Sequence, residues 1–222
     1  MSGDLFQQLA QRSMSREELL EHVRLHHELV PSLIDSTDSP KASVRYGCAK
    51  VLIDLSEEHP ETMYEYMDRF IAMLDSRHRI LTWNALAIVA NLAGVDKDNR
   101  IEAILHKYYG FLNNEYMVTV ANVVGNSGKI ALAKPHLIQK ITDELLKVED
   151  IKTTPHLTEE CKRVIAQKTI ETLDLYFDKV EQKSRVLSFV NRQLNTPRKS
   201  LKKQAETFLQ RWDQTAAHAT SQ

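Results

Sequence analysis

Glycine and proline are scarce, with six of each in 222 residues. That leaves little material for the many tight turns of an all-β fold. Cysteine is scarcer still. Cys48 and Cys161 lie far apart in helix-compatible surroundings, which excludes a disulfide framework or a zinc knuckle and reads as two small buried residues. No apolar run approaches the length of a membrane span. The start, Met1-Ser2-Gly3-Asp4-Leu5, lacks the basic residues and apolar stretch of a signal peptide. A cytoplasmic protein with no membrane partner is therefore expected. Net charge is nearly absent too, at −1. That argues against an affinity for nucleic acid or anionic lipid spread over the whole surface, and leaves local patches open.

What is present favours helix. Leu, Ala, Glu, Lys and Gln are plentiful, all with good helix propensity, and a hydrophobic share of 42% can build a core. Five of the six prolines sit where helices should begin: Pro40, Pro60, Pro135, Pro155 and Pro197. Proline suits a first turn, where its missing N–H has no partner anyway, and Ser, Thr, Asp or Asn just before it can cap the free N–H groups. The spacing predicts five helix pairs: 16–36 with 40–57, 60–75 with 78–94, 98–112 with 115–132, 135–148 with 157–177, and 179–194 with 197–213. A polar connection, 149–156, interrupts the fourth. Together they make a single repeat domain over 1–213, with 1–15 as an N-terminal cap segment, and the small polar tail 214–222 is expected to be disordered.

The pairs also resemble one another. Asp38-Ser39-Pro40-Lys41-Ala42-Ser43-Val44-Arg45 has the frame of Asp75-Ser76-Arg77-His78-Arg79-Ile80-Leu81-Thr82, and the frame recurs from Asn195 to Leu201-Lys202. A capping residue is followed, after five intervening positions, by an aliphatic residue and then a longer polar one. The aliphatic opens a stripe at helical spacing: Val44, Cys48, Val51 and Leu55, then Leu81, Ala85, Ile88 and Leu92, then Tyr116, Val120, Val123 and Ser127. A helix–turn–helix period near 37 residues means a solenoid, because one pair cannot bury its apolar face alone.

Leu29-Val30-Pro31-Ser32-Leu33-Ile34 followed by Asp38, with Val44-Arg45 and Ala49-Lys50-Val51-Leu52, resembles the HEAT repeat family, and armadillo-type repeats are similar. The resemblance covers about 16–212 and is closest in the first pair. Thr82 and Lys202 stand where the family usually has Arg. It implies an all-α superhelix, a right-handed solenoid of about five HEAT-like pairs whose second helices line the concave surface. Pro31 is read as a kink within the first helix, with a fresh helix after a break as the alternative.

Chemistry-bearing motifs find bland explanations. Gly125-Asn126-Ser127-Gly128-Lys129-Ile130 resembles the end of a phosphate loop, but the glycines are too close and Ile130 stands where Ser or Thr is needed. Close packing, or a helix end at Gly128, is the plainer reading. His22 and His26 sit one turn apart with Glu18 and His27 nearby, a spacing that can share a metal, yet nothing else in the sequence completes a site. Ser76 beside His78 lies at a turn where capping explains it, and Glu57-Glu58 and Glu159-Glu160 suit helix dipoles. No catalytic residue, metal site or cofactor is expected.

Two charge runs remain. Asp54, Glu57, Glu58, Glu61, Glu65 and Asp68 form an acidic stretch without Lys or Arg, read as a solvated face. From Lys179 to Arg211 there are nine basic residues against Glu181 and Glu206. Within it Arg198, Lys199, Lys202 and Lys203 cluster as candidate contacts for phosphate or an acidic partner, or as the polar outer face of a terminal repeat.

Four-residue steps opposite the buried stripes define a column on the second helices. It holds Tyr46, Lys50 and Asp54; Trp83, Ala87 and Asn91; Val118, Asn122 and Asn126; Val164, Lys168 and Thr172; and Lys203, Thr207 and Arg211. Tyr46, Lys50, Trp83, Asn91, Asn122, Asn126 and Lys168 are the candidate partner-binding residues, since aromatics with amides and cations suit hot spots. Trp83 reads equally well as core. Asn within a helix has poor propensity and should have a reason to be there, whether binding or a structural bond. The expected function is a non-catalytic scaffold or adaptor that binds a protein or peptide on the concave surface. The alternative is a helical-repeat DNA-binding or DNA-repair protein that uses the basic C-terminal repeat.

Overall fold

A computed structural model describes residues 2–11 and 13–219, with the side chains of 5, 7–11 and 13–212. The helices are α1 (Ser2–Gln11), α2 (Arg16–Leu25), α3 (Val30–Ser36), α4 (Ala42–Glu58), α5 (Pro60–Tyr64), α6 (Met67–Met73), α7 (Arg79–Asn91), α8 (Arg100–Gly110), α9 (Met117–Ala133), α10 (Ile138–Leu146), α11 (Glu159–Asp174), α12 (Lys183–Arg192) and α13 (Lys199–Ala219). An isolated bridge, Thr154 with Leu157, is the only β pairing among the described residues. No described helix is long and apolar enough to cross a membrane. The chain divides into two compact units, Met1–Ala103 and Ile104–Gln222.

In the first unit α2 starts at a capping box. Ser15 Oγ accepts from the Glu18 N–H at 3.1 Å, and Glu18 Oε2 accepts from the Ser15 N–H at 2.7 Å, so two orphan donors are satisfied reciprocally. The helix ends at His26 (φ −136°, ψ 66°). Pro31 therefore does not kink a continuous helix. It occupies the first turn of α3 after a full break, where its missing N–H removes no bond. The next repeat is divided likewise, α5 from α6, at Tyr66. Pro60 and Pro135 open helical segments as expected, and Pro40 and Pro197 stand just ahead of α4 and α13. Pro155 does not start a helix. It sits inside the turn closed by Thr154 and Leu157, and Thr158 caps α11 instead by accepting from the Cys161 N–H at 3.3 Å.

The expected stripes are the core. Val44, Cys48, Val51 and Leu55, and Leu81, Ala85, Ile88 and Leu92, are buried, as are Val120, Val123 and Ser127; Tyr116 is half-buried as the residue before α9. Each large aliphatic buried this way stabilises the fold by about 1.5–3 kcal/mol. Within the first unit α2 and α3 pack on α4, α4 on α7, and α6 on α7. Within the second, α9 packs on α11, α11 on α13, and α12 on α13.

The α9–α11 contact explains the glycine pair. Both glycines lie inside α9, so neither ends it. A Cβ on Gly125 would lie 2.9 Å from Lys168 Cε, and one on Gly128 would lie 2.6 Å from Leu175 Cδ1. Thr172 Oγ1 donates to the Val124 carbonyl at 3.1 Å across the same contact. Small residues here let two helices approach, and the phosphate-loop resemblance has no strand or loop to support it. At the other end α13 continues to Ala219, beyond the expected helix end at 213; the last of the tail, 220–222, lies outside the described residues.

Candidate interaction surface

The repeated frame has a mechanical role. Arg45 Nη1 donates to the Ser39 carbonyl at 2.6 Å, and Thr82 Oγ1 donates to the Ser76 carbonyl at 3.4 Å. In both, the polar residue after the aliphatic reaches back six positions to hold the turn. The Val-Arg pair is thus a clamp on the repeat.

On the exposed face of α4, the Arg45 guanidinium lies 4.7 Å from the Tyr46 ring centroid, and the His78 ring meets Tyr46 edge-on at 6.4 Å. Burial, then the nearby Arg45 and Arg77, lower the His78 pKa from its ordinary value. One turn along, Lys50 Nζ pairs with Asp54 Oδ1 at 3.0 Å. On α7, Trp83 is half-buried, between the two readings of it. Asn91 Nδ2 donates to Ser56 Oγ at 2.9 Å, and Ser56 Oγ in turn donates to the Ile53 carbonyl at 2.7 Å. The reason for Asn91 in a helix is therefore a bond to the neighbouring second helix, through a hydroxyl.

In the second unit Asn122 Nδ2 donates to the Val118 carbonyl at 2.8 Å and Asn126 Nδ2 to the Asn122 carbonyl at 2.9 Å. Each amide is thereby oriented by its own helix. A carboxamide has a further N–H and a carbonyl beyond such a bond. Lys168 lays its stem over Gly125 and pairs with Glu171 at 3.3 Å. Thr172, placed in the column by phase, is buried against α9 instead. Lys203 and Thr207 are exposed, and Arg211 pairs with Asp174.

Phase reasoning missed three residues of these faces. The exposed large hydrophobics among the described residues are Leu25, Ile80, Val118, Leu132 and Leu175. Ile80 precedes Trp83 by three, Leu175 follows Lys168 by seven, and Leu132 follows Val118 by two sevens, spacings that share a helix face. Extending each column in three- and four-residue steps would have found them.

The charge runs are partly absorbed between successive repeats. Arg24 Nε donates to Glu58 at 2.8 Å, Arg69 pairs with Asp35, and Arg100 lies 3.4 Å from Asp68. In the second unit Arg192 Nε donates to Glu149 at 2.7 Å, Arg185 pairs with Asp143, and Arg198 with Glu160. Partners here stand 32 to 43 residues apart, about one repeat. The acidic run is thus partly paired rather than a plain solvated face. Of the cluster at 198–203, Arg198 is engaged, while Lys199, Lys202 and Lys203 are exposed and form no ion pair among the described residues. A cleft of about 460 Å³ at Asp143, Glu149, Arg185 and Arg192 is bridged by two of these pairs.

His22 and His26 do meet, with ring centroids 4.7 Å apart, and His26 Nδ1 lies 3.1 Å from Glu28 Oε1. No group of three or more His, Cys, Asp or Glu among the described residues is placed to hold a metal.

No protein-family model matches the chain, and no curated protein matches it in sequence. Among solved structures it is similar to designed armadillo repeat proteins. One is YIII(Dq.V1)4CPAF in complex with peptide (KR)4, with a TM-score of 0.64 and 17% identity over 94% of this chain and 91% of that one. Another is YIII(Dq)4CqI, with a TM-score of 0.60 and 18% identity over 92% and 89%. A third is a computationally designed armadillo repeat protein for modular peptide recognition, with a TM-score of 0.60 and 19% identity over 92% and 89%. The fold is accordingly an armadillo/HEAT-like all-α solenoid. The divided first helices of the first unit give its repeats three helices each.

Proposed function

We propose that this chain is a non-catalytic scaffold or adaptor that holds a protein or peptide segment against the exposed faces of its second helices. One observation carries the reading. Among the described residues five large hydrophobics are left in water, and four of them belong to second helices of their own unit, Ile80 in the first and Val118, Leu132 and Leu175 in the second, with Leu25 the exception. Single exposed aliphatics need no explanation, but the three that gather in the second unit, on α9 and at the end of α11, support an interaction surface there. Around them stand Tyr46, Lys50, Trp83 and Asn91 in the first unit, and Asn122, Asn126 and Lys168 in the second. Two structural neighbours support the same use of the fold, one holding the peptide (KR)4 and one designed for modular peptide recognition.

A duplex-DNA reading has less support. The arginines at 185, 192, 198 and 211 are held by carboxylates of the preceding repeat, which leaves lysines alone to meet phosphate. We treat 1–213 as one repeat domain, because the same frame recurs on both sides of the division between units. A cytoplasmic location belongs to this proposal, and two free thiols fit it.

The test is a random-peptide display selection against the full chain. Selected peptides should lose about tenfold or more in affinity when Ile80→Ser or Leu175→Ser is introduced, with helical circular dichroism unchanged. Recovery of no peptide, or of peptides indifferent to both substitutions, would sink the proposal.

A further inference from the structure

Within the second unit the chemistry of the exposed face is specific enough to name the kind of partner, resting on the reading above. We propose that the α9–α11–α13 face takes an acidic, aliphatic protein segment.

Two sets of cations in this unit differ in their commitments. Its arginines are committed: Arg163 to Glu160 at 3.1 Å, Arg185 to Asp143, Arg192 to Glu149, Arg198 to Glu160, and Arg211 to Asp174. Three exposed lysines lie on the column or beside it. Lys168 has Glu171 as its acidic neighbour at 3.3 Å, and Lys199 and Lys203 on α13 have none among the described residues. Since Lys203 lies four residues after Lys199, both stand on one side of α13. Lys199 and Lys203, with Lys202 beside them, outnumber the exposed Glu206 on α13, and a carboxylate-bearing partner complements that excess.

Charge alone would suit a nucleic acid equally, and the rest of the face decides against one. Val118, Leu132 and Leu175 are 40%, 45% and 57% exposed, and phosphate or sugar gains nothing from covering them. The column positions are Val118, Asn122 and Asn126, then Val164 and Lys168, then Lys203 and Thr207. No aromatic ring stands among them for a base to stack on. Asn122 and Asn126, already oriented by their own helix, offer amide groups that pair with a peptide backbone. Adjacent packed helices lie about 8–10 Å apart, close to the reach of three residues of extended chain at about 3.3 Å each. A basic segment such as (KR)4 would meet like charge here.

The full chain is used for the test, with peptides from the display selection. Peptides enriched on the wild type should be rich in Asp, Glu, Leu and Ile, and should bind less tightly as salt is raised. The triple variant Lys168→Glu/Lys199→Glu/Lys203→Glu should lose about tenfold or more in affinity for them, and Leu132→Ser/Leu175→Ser should weaken them as well. If the charge-reversed chain does not fold, the Lys→Gln triple takes its place. Enrichment of basic or uncharged peptides, or of acidic peptides indifferent to the triple variant, overturns this inference and leaves peptide binding standing. Binding of labelled duplex DNA that the triple variant abolishes also overturns it. If no peptide is enriched at all, the peptide-binding reading itself falls.

Discussion

Asn91 and Ser56 join the two second helices of the first unit, with Nδ2 donating to Oγ at 2.9 Å. Ser56 is buried and keeps its own bond to Ile53, so removing the amide strands no hydroxyl proton. Asn91→Ala should therefore cost about 0.5–1.5 kcal/mol, the range for one internal hydrogen bond. Urea denaturation at fixed pH measures it. A loss near zero would mean that the amide serves only a partner. Asn122→Ala, whose bond stays within its own helix, should change stability less.

The glycines of α9 make an opposite pair of predictions. Ala at position 128 gains about 0.5–1 kcal/mol of helix propensity over Gly. Its Cβ would press on Leu175 Cδ1, the free end of a side chain that is 57% exposed and able to swing aside. Gly128→Ala should leave the melting temperature unchanged or raise it. Gly128→Leu cannot be absorbed this way and should destabilise by about 1–3 kcal/mol through overpacking. Thermal melts of both variants separate close packing from any role for the motif in binding.

Thiol reactivity should divide cleanly. Burial pushes the Cys48 thiol up to about 12, so the reactive thiolate is nearly absent at neutral pH. Cys161 is partly exposed at the start of α11. A thiol reagent at pH 8 should label Cys161 promptly and Cys48 only after denaturant is added. Prompt labelling of both would show that the α4 core opens readily.

Acid should weaken the ion pairs between repeats. Hydrogen bonds from Arg24 hold the Glu58 carboxyl below its ordinary value, and those from Arg198 and Arg163 do the same for Glu160. As pH falls through the ordinary carboxyl range near 4.5, the unfolded chain takes up these protons first, so the fold loses stability there. The loss ends once the folded carboxyls are protonated as well. The contribution is present above that range and modest, because exposed pairs are worth little. Melting temperature recorded from pH 6 to pH 3 should fall less steeply for Arg24→Gln than for the wild type. Parallel curves would remove Glu58 from the account.

Helical phase made much of this protein legible. Val44, Cys48, Val51 and Leu55 were readable as a buried stripe because an apolar residue at each turn has one way to leave water, and the recurrence of that stripe after a repeat announced the solenoid. The same phase put Lys168 in water, with Asn122 and Asn126 half-buried. It failed at Thr172, because Gly125 and Gly128 bring α11 so close to α9 that a position exposed on an isolated helix is covered.

Local sequence by itself therefore determined the helical segments and most of the buried stripes of the second helices, since these depend on residues within a few turns of one another. It did not show the breaks that divide the first helices. Tertiary structure decided the rest. Arg24 finds Glu58, and Arg192 finds Glu149, only across a repeat. Pro31 opens a helix because the chain has already broken at His26. Ile80 and Leu132 stay largely in water, and so does Leu175 even though its Cδ1 lies against Gly128 of α9. A partner spacing of one repeat leaves no periodic mark in a chain, because any Arg can meet any Glu until packing brings two of them together.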